Sequence, residues 1–506
     1  MMARILSMPL LVILLGIGAG AMYVPAIYAY VKDDLFVARV FLYGGTLFLM
    51  LTVFIGIATA SGKSTNLVRS HLLGLLGAFT VLPVILAVPF YEGLRTTTFF
   101  NAYFEMVSSL TTTGATLFEP ARLPEALHLW RAMVGWMGGF LIWVAAIAIL
   151  ARMNLGGFEV TAMHLKEQQN QTALQPDQMP DPPHQLGRHA AGLFPIYAGL
   201  TLILWIALLL AGDRPLVAVS HAMSTIATSG ISPIGGLGQE GGSGLRGEAI
   251  IFVFLFFAIS RLTFTADQQI SGTRRLHNDP EFRMGVILVI LLPVVLLLRH
   301  WLGALESNAD SDFATAIRAF WGGMFTVLSF LTTTGFESLD WADARNWSGL
   351  QTPGLMLLGL SVIGGGVATT AGGVKLMRVY ALYKHGAREL ERLIHPASVA
   401  GSGKKARFIR REGAQIAWIF LMLFSMSVAV VMLALSAAGL TFEQAMIFGV
   451  SALSTNGPLV SVAADVPLEY ASLDGVAKSI LLAAMVLGRL ETLAIIALFN
   501  PSLWRS

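Results

Sequence analysis

The chain has no cysteine among its 506 residues. That excludes disulfide staples, thiolate metal sites and cysteine nucleophiles, and it leaves the compartment open. Charge is also scarce: Asp, Glu, Lys and Arg make up 12% of the residues, against roughly 25% in soluble domains. The signs nearly balance, 33 basic against 30 acidic side chains, too small an excess to suggest a nucleic-acid partner. H-E-x-x-H and G-x-S-x-G do not occur, so nothing points to an intramembrane enzyme. Gly62-Lys63-Ser64-Thr65 mimics the end of a phosphate-binding loop, but the earlier glycine that loop needs is replaced by Ile57.

What the chain does have is apolar length. Hydrophobic residues reach 55% and the mean hydropathy is +0.70, which describes a protein solvated mainly by lipid. A membrane-crossing helix needs about 20 apolar residues. Ile5 to Tyr30, behind Arg4, is too long for the core of a secretory signal, and a second stretch from Phe36 to Ala60 follows at once. Further stretches at 71–92, 125–152, 190–211, 247–267, 284–304, 351–384, 413–438 and 475–499 bring the expected spans to ten.

Four short segments punctuate this pattern: Thr112-Thr113-Gly114, Thr228-Ser229-Gly230, Thr333-Thr334-Gly335 and Thr455-Asn456-Gly457. They recur every 105 to 122 residues, which reads as one unit repeated four times. Each ends a shorter apolar run: Thr97–Leu110, Leu216–Ile226, Phe313–Leu331 and Phe442–Leu453. These runs are too short to cross and read as re-entrant half-helices, which are allowed at membrane depth only when enclosed by protein. The expected architecture is all-α, with four repeats of helix, half-helix, loop and helix around one pore, plus two N-terminal helices. The boundaries are 1–66 for the two-helix domain, then 67–155, 189–270, 271–385 and 413–506 for the repeats. Residues 156–188 and 386–412 form linkers.

Such a repeat suits a cation that must exchange its water for oxygen ligands, because backbone carbonyls and hydroxyls replace a hydration shell. Glycine at 114, 230, 335 and 457 frees the chain to turn carbonyls inward. Each half-helix also directs about half a negative charge from its C-terminal end toward the loop. The expected ion-binding filter is therefore Thr112, Thr113, Gly114, Thr228, Ser229, Gly230, Thr333, Thr334, Gly335, Thr455, Asn456 and Gly457. Filter chemistry is shared by channels and symporters, and a sodium-selective or sodium-coupled carrier with discontinuous helices is the competing expectation.

Charge sets the orientation. Arg152, Lys166, Arg188, Arg274, Arg275, Arg283 and the basic run from Lys384 to Arg411 lie on the side expected to be cytoplasmic. Glu119, Glu125, Glu337, Asp340, Asp343, Asp465 and Glu469 lie on the opposite side, where they would concentrate cations. Both termini then face the cytoplasm. Glu167 to Pro183 reads as a polar loop, and Gly386 to Arg411 could meet a partner or anionic lipid.

Two more features bear on gating. Ile363 to Lys375 is too rich in glycine to continue a helix, since each glycine costs about 1 kcal/mol there; its candidate residues are Gly364, Gly365, Gly366, Thr369, Thr370, Gly372, Gly373 and Lys375. Arg489 lies deep in the last span, where an unpaired charge is costly, and the expectation is that it faces the pore with the glycine loop. Arg131, Arg318, Asp312 and His221 read as structural.

At these residues the chain resembles the Trk/Ktr/HKT superfamily of potassium transporters, and its two extra N-terminal helices resemble the TrkH branch. Phe104-Glu105 with Ser108 through Thr116 looks like the first pore loop, and His221-Ala222-Met223-Ser224-Thr225 leading to Gly230-Ile231-Ser232 is similar to the second. Ser329 through Phe336 resembles the third, Asn456-Gly457-Pro458 the fourth, and Gly488-Arg489-Leu490-Glu491 the last-helix signature. The resemblance implies potassium as the transported ion, with no organic cofactor, in a bacterial inner membrane. It also implies a homodimer, a cytosolic TrkA-type nucleotide-binding ring, and a glycine loop that obstructs the pore beneath the filter. Ser229 and Leu459 depart from the pattern, each standing where a glycine is usual. In plant relatives a serine in place of the first-loop glycine goes with sodium, so Gly114 favours potassium.

Overall fold

A computed structural model describes residues 9–59, 67–150, 182–239, 241–260, 279–307, 313–348, 354–395, 411–464 and 466–491. Its elements are helical throughout. Among the described residues, seven helices are long and apolar enough to cross a membrane: Leu10–Val31, Leu35–Thr59, Leu72–Leu94, Glu125–Ala148, Leu186–Ala211, Pro280–Arg299 and Gly413–Ala437. The other three expected spans take different forms. The stretch at 247–267 starts as a helix over Leu245–Leu255 and tightens to a 3₁₀ turn at Phe256–Ala258. The stretch at 351–384 divides into Gly354–Ile363 and Leu376–Ile394 on either side of the glycine loop. The last runs as helix over Gly475–Leu490, and its remaining residues lie outside the described set.

The half-helices fall at Phe99–Leu110, Pro215–Ala227, Phe313–Leu331 and Phe442–Leu453. Local chemistry starts them. Thr98 caps the first by accepting from the Asn101 N–H at 3.3 Å. Proline opens the second at a position whose N–H has no helical partner. Thr441 and Gln444 form a reciprocal capping box at the fourth. Twelve residues, as in the first and fourth, reach about 18 Å, short of a hydrocarbon core of about 30 Å. The third is longer than that argument allows, 19 residues.

Packing repeats fourfold. Each half-helix lies against the helix before it and the helix after it in its own repeat. Each also lies against the second helix of the preceding repeat: the second half-helix on Glu125–Ala145, the third on Leu245–Leu255, the fourth on Gly354–Ile363, and the first on Gly475–Leu490. That last contact joins the two ends of the chain and closes the bundle into a ring. The two N-terminal helices pack on each other and on Leu82–Leu94 of the first repeat, outside the ring.

The expected linkers begin and end differently from their composition. Helix already covers residues 182–188, and Leu376–Ile394 carries helix through the start of the basic stretch past Gly386. Arg152, Lys166, Arg274, Arg275, Asp312 and Asp465 lie outside the described residues.

Candidate functional site

Each half-helix ends in the same turn. Thr112, Thr228, Thr333 and Thr455 all adopt left-handed backbone, with φ of 54°, 51°, 54° and 54°. Such a conformation is uncommon outside glycine and costs of order 1–3 kcal/mol per residue, so its fourfold recurrence marks one repeated turn. The next residue's N–H reaches back five positions: Thr113 to the Ser108 carbonyl, Ser229 to Ser224, Thr334 to Ser329 and Asn456 to Ser451, each at 2.9 Å. This is the helix-ending bond of a left-handed cap. Those serines stand four residues before each threonine, so the full repeat reads Ser-x-x-x-Thr-x-Gly. Ser108, Ser224 and Ser329 fall inside the segments that carry the family resemblance, but their shared spacing, and Ser451 with it, was not singled out from the sequence.

The four turns meet one another in cyclic order. A β-carbon on Gly114 would overlap the Ser229 carbonyl oxygen, and one on Gly230 would overlap the Thr334 carbonyl oxygen. At Gly335 it would overlap the Asn456 side-chain oxygen, and at Gly457 the Ala115 backbone nitrogen. First touches second, second third, third fourth, and fourth first. The twelve expected filter residues, which are buried apart from the partly exposed Gly230, are thus brought to one place by contacts that leave no room for any side chain at the four glycines.

The fourth turn differs from the other three. Gly114, Gly230 and Gly335 have φ of 73°, 65° and 81°, whereas Gly457 is not in the positive-φ region. Its N–H donates to the Thr113 carbonyl at 2.6 Å, and its own carbonyl accepts from the Tyr470 hydroxyl at 3.2 Å. The expectation that all four glycines serve by turning carbonyls inward therefore does not extend to Gly457, which is glycine because the first turn lies against it. Asn456 is held by its amide nitrogen, which donates to the Ser361 hydroxyl at 2.8 Å. Were the turns to line an ion path, as the sequence leads one to expect, Tyr470→Phe should retain uptake within a few-fold while lowering discrimination between monovalent cations by roughly 3- to 10-fold, the equivalent of about one hydrogen bond. Uptake competition between two cations in vesicles checks it.

A second repeated device fastens the chain after each glycine. The residue nine positions before it is Glu105, His221, Thr326 or Phe448. Glu105 accepts from the Leu117 N–H at 3.1 Å, His221 bonds the Ser232 hydroxyl at 2.9 Å, and Thr326 accepts from the Ser338 N–H at 3.3 Å. Phe448 meets the Tyr470 ring edge-on at 5.1 Å. Glu105 is also paired with Arg131 at 2.6 Å, both side chains almost fully enclosed. Arg131 and His221 are thus structural, as expected, and their task is to hold the turns.

The glycine loop, residues 364–375, is pressed against three of the four left-handed threonines. Thr370 accepts from the Thr228 hydroxyl at 3.2 Å and donates to the Ile226 carbonyl at 3.1 Å. The Gly372 N–H donates to the Thr333 hydroxyl at 2.7 Å, and a β-carbon on Gly372 would overlap the Thr455 hydroxyl. The loop folds on itself through Gly364 and Gly373, which are too close for side chains, through Thr369 donating to the Gly366 carbonyl at 2.7 Å, and through Lys375, which reaches the Ala371 carbonyl. Gly365 accepts from the Leu376 N–H at 2.9 Å.

Arg489 donates to the Thr370 carbonyl at 2.7 Å and is 4% exposed. Its neighbour Glu491 pairs instead with Arg378 at 2.8 Å, as the helical spacing of 489 and 491 requires. Glu281 accepts from the Val367 N–H at 2.9 Å, and the Ala258 carbonyl from the Gly366 N–H at 3.0 Å. Sequence reading named none of Glu281, Arg378 or Ala258. Glu281 looks like ordinary flanking charge at the start of a span, and only its burial at 2% exposure separates it.

A family model described as TrkH, cation transport protein, matches residues 248–506. The Trk system potassium uptake protein TrkH of Salmonella typhimurium is 33% identical over 434 residues, covering 84% of each chain. The chain belongs to the TrkH family. The same protein of Vibrio parahaemolyticus is 31% identical over 417 residues, 80% of each chain. The crystal structure of the potassium transporter TrkH from that organism matches with a TM-score of 0.79 at 28% identity over the whole of both chains. As a TrkH family member this is a transport protein and not an enzyme, and its all-helical membrane architecture is that of the family. The two N-terminal helices are covered by the structural match as well.

Proposed function

We propose that this TrkH family member takes up potassium across a bacterial inner membrane through the ring formed by its four Thr-x-Gly turns. The observation that carries the proposal is the closed cycle of contacts from the first turn to the fourth and back. A ring of buried carbonyl and hydroxyl oxygens at the convergent C-terminal ends of four half-helices offers a dehydrated monovalent cation both ligands and a favourable field. The relatives named as potassium uptake proteins support the choice of ion.

The glycine loop serves as the gate in this proposal. It lies against the threonines that end three of the half-helices, and Arg489 braces it by its bond to Thr370. Opening would be driven from the cytoplasm by a TrkA-type nucleotide-binding ring acting on a homodimer, through the helix Leu376–Ile394 that leaves the loop directly. Reconstituted into liposomes, the protein should accumulate rubidium or potassium when a negative-inside potential is imposed, with sodium a poor competitor. Equal uptake of sodium, or no uptake by folded protein with its regulatory partner present, overturns the proposal.

A further inference from the structure

The serines that precede the four turns are equivalent in sequence and unequal in what their hydroxyls do. All four side chains are buried. Ser108 donates to the Ala115 carbonyl at 2.7 Å, just past the first glycine. Ser451 donates to the Asn456 carbonyl at 2.7 Å and lies 2.7 Å from the Tyr470 hydroxyl. In the second repeat Ser224 accepts from the Ser229 hydroxyl at 3.1 Å. In the third, the Ser329 hydroxyl has no hydrogen-bond partner among the described residues. The backbone carbonyls divide in the same way. Those of Thr113, Ala115, Asn456 and Gly457 all accept hydrogen bonds, and the bond from the Gly457 N–H to Thr113 ties the first turn to the fourth. Tyr470 is packed between Phe104 of the first half-helix at 6.0 Å and Phe448 of the fourth at 5.1 Å. Among the described residues, no hydrogen bond reaches the carbonyls of residues 228–231 or 333–336.

We infer that Ser108 and Ser451 are positioning residues for ion discrimination, bracing the first and fourth turns into one stiff half of the ring against which the second and third turns yield. Discrimination by fit requires that a ring of oxygens resist closing around a smaller ion. A peptide plane held by a buried donor resists that motion, because turning it away leaves a buried donor and a buried acceptor unmatched. Planes without a donor turn without that cost. The second and third turns therefore supply oxygens that adjust to the ion, while the first and fourth fix the size it must have. The repeats thus differ in stiffness although their sequences match, and Ser329 is the serine that has no part in it. The inference rests on the ring being the ion pathway.

Four matched substitutions test it, made in the full-length protein and read in proteoliposomes under an imposed potential. The quantity is the ratio of the sodium inhibition constant to the rubidium KM, which the fraction of protein that is folded or open does not alter. Ser108→Ala and Ser451→Ala should each lower that ratio by roughly 3- to 10-fold, the equivalent of about one hydrogen bond, with maximal uptake retained within a few-fold. Ser224→Ala should lower it less, and Ser329→Ala by less than about twofold. Ser108→Cys, similar in size but a weaker donor, should lower it less than alanine does, and it takes the place of Ser108→Ala if that variant does not fold. Because the first and fourth turns are bonded to each other, Ser108→Ala combined with Ser451→Ala should depart from the product of the single effects by more than about twofold. Ser108→Ala combined with Ser329→Ala should not. Equal effects at all four serines, including none, or a largest effect at Ser329, overturn the braced half and leave potassium uptake through the ring standing. An unsubstituted protein that takes up rubidium and sodium alike defeats the transport reading, and this inference with it.

Discussion

Gly114→Ser should largely abolish the preference for potassium over sodium while the protein still folds and inserts. Two costs fall on one residue. Its φ of 73° is left-handed, which penalises an L-residue by about 1–2 kcal/mol. The new β-carbon would also overlap the Ser229 carbonyl oxygen, and such overpacking costs about 1–3 kcal/mol. Together about 2–5 kcal/mol is set against the ring geometry, a loss of roughly 30- to 5000-fold in its occupancy. The chain escapes by moving the Ser229 carbonyl, one of the oxygens the proposal assigns to the ion. Potassium uptake measured against sodium as competitor checks the expectation, and retained discrimination means that the first turn does not line the pathway. Gly212→Ser is the control: its φ is 110° and nothing lies within 4 Å of the added carbon. It bears the backbone cost without the collision and should leave selectivity alone.

The parts of this site that were legible in the sequence are those with local causes. Phe313–Leu331 and Phe442–Leu453 fold over the residues their apolar runs delimit, and Phe99–Leu110 differs only in its first turn, where Thr98 becomes the cap. The glycine loop breaks its helix where Gly364, Gly365 and Gly366 make helix costly. The linker expected to start at Gly386 starts later, because nothing crowds that glycine and the helix runs through it, a single glycine costing only about 1 kcal/mol. What escaped reading lies far apart along the chain. Glu281 reaches Val367 across 86 residues and Arg378 reaches Glu491 across 113, and neither pair has a spacing to betray it. The reversed role of Gly457 escaped for another reason. Thr-Asn-Gly is as compatible with a left-handed glycine as Thr-Thr-Gly, and only the approach of Thr113 and Tyr470 decides between them.

Arg489→Ala should raise potassium flux and should not destabilise the protein, a combination that a structural arginine would not give. Arg489 makes one hydrogen bond, to the Thr370 carbonyl, while its Nε and one terminal nitrogen are buried without partners. No carboxylate pairs with it among the described residues, in contrast to Arg378, which has Glu491 at 2.8 Å and the Phe420 ring 3.6 Å beneath it. Burying a charge without a counter-ion is costly, so its removal relieves the fold even as it frees the loop. In the proposed pathway the positive charge also opposes the ion. At an effective dielectric of about 20, two unit charges roughly 8 Å apart repel by about 2 kcal/mol, or about thirtyfold in occupancy, which sets the scale of the effect. Flux through Arg489→Ala in liposomes without the regulatory ring should therefore increase by roughly that factor, with the melting temperature unchanged or higher. Arg378→Ala should do the reverse, since it strands Glu491 in the interior and lowers the melting temperature. Equal losses of stability in the two variants would place Arg489 among the structural charges and remove it from the gate.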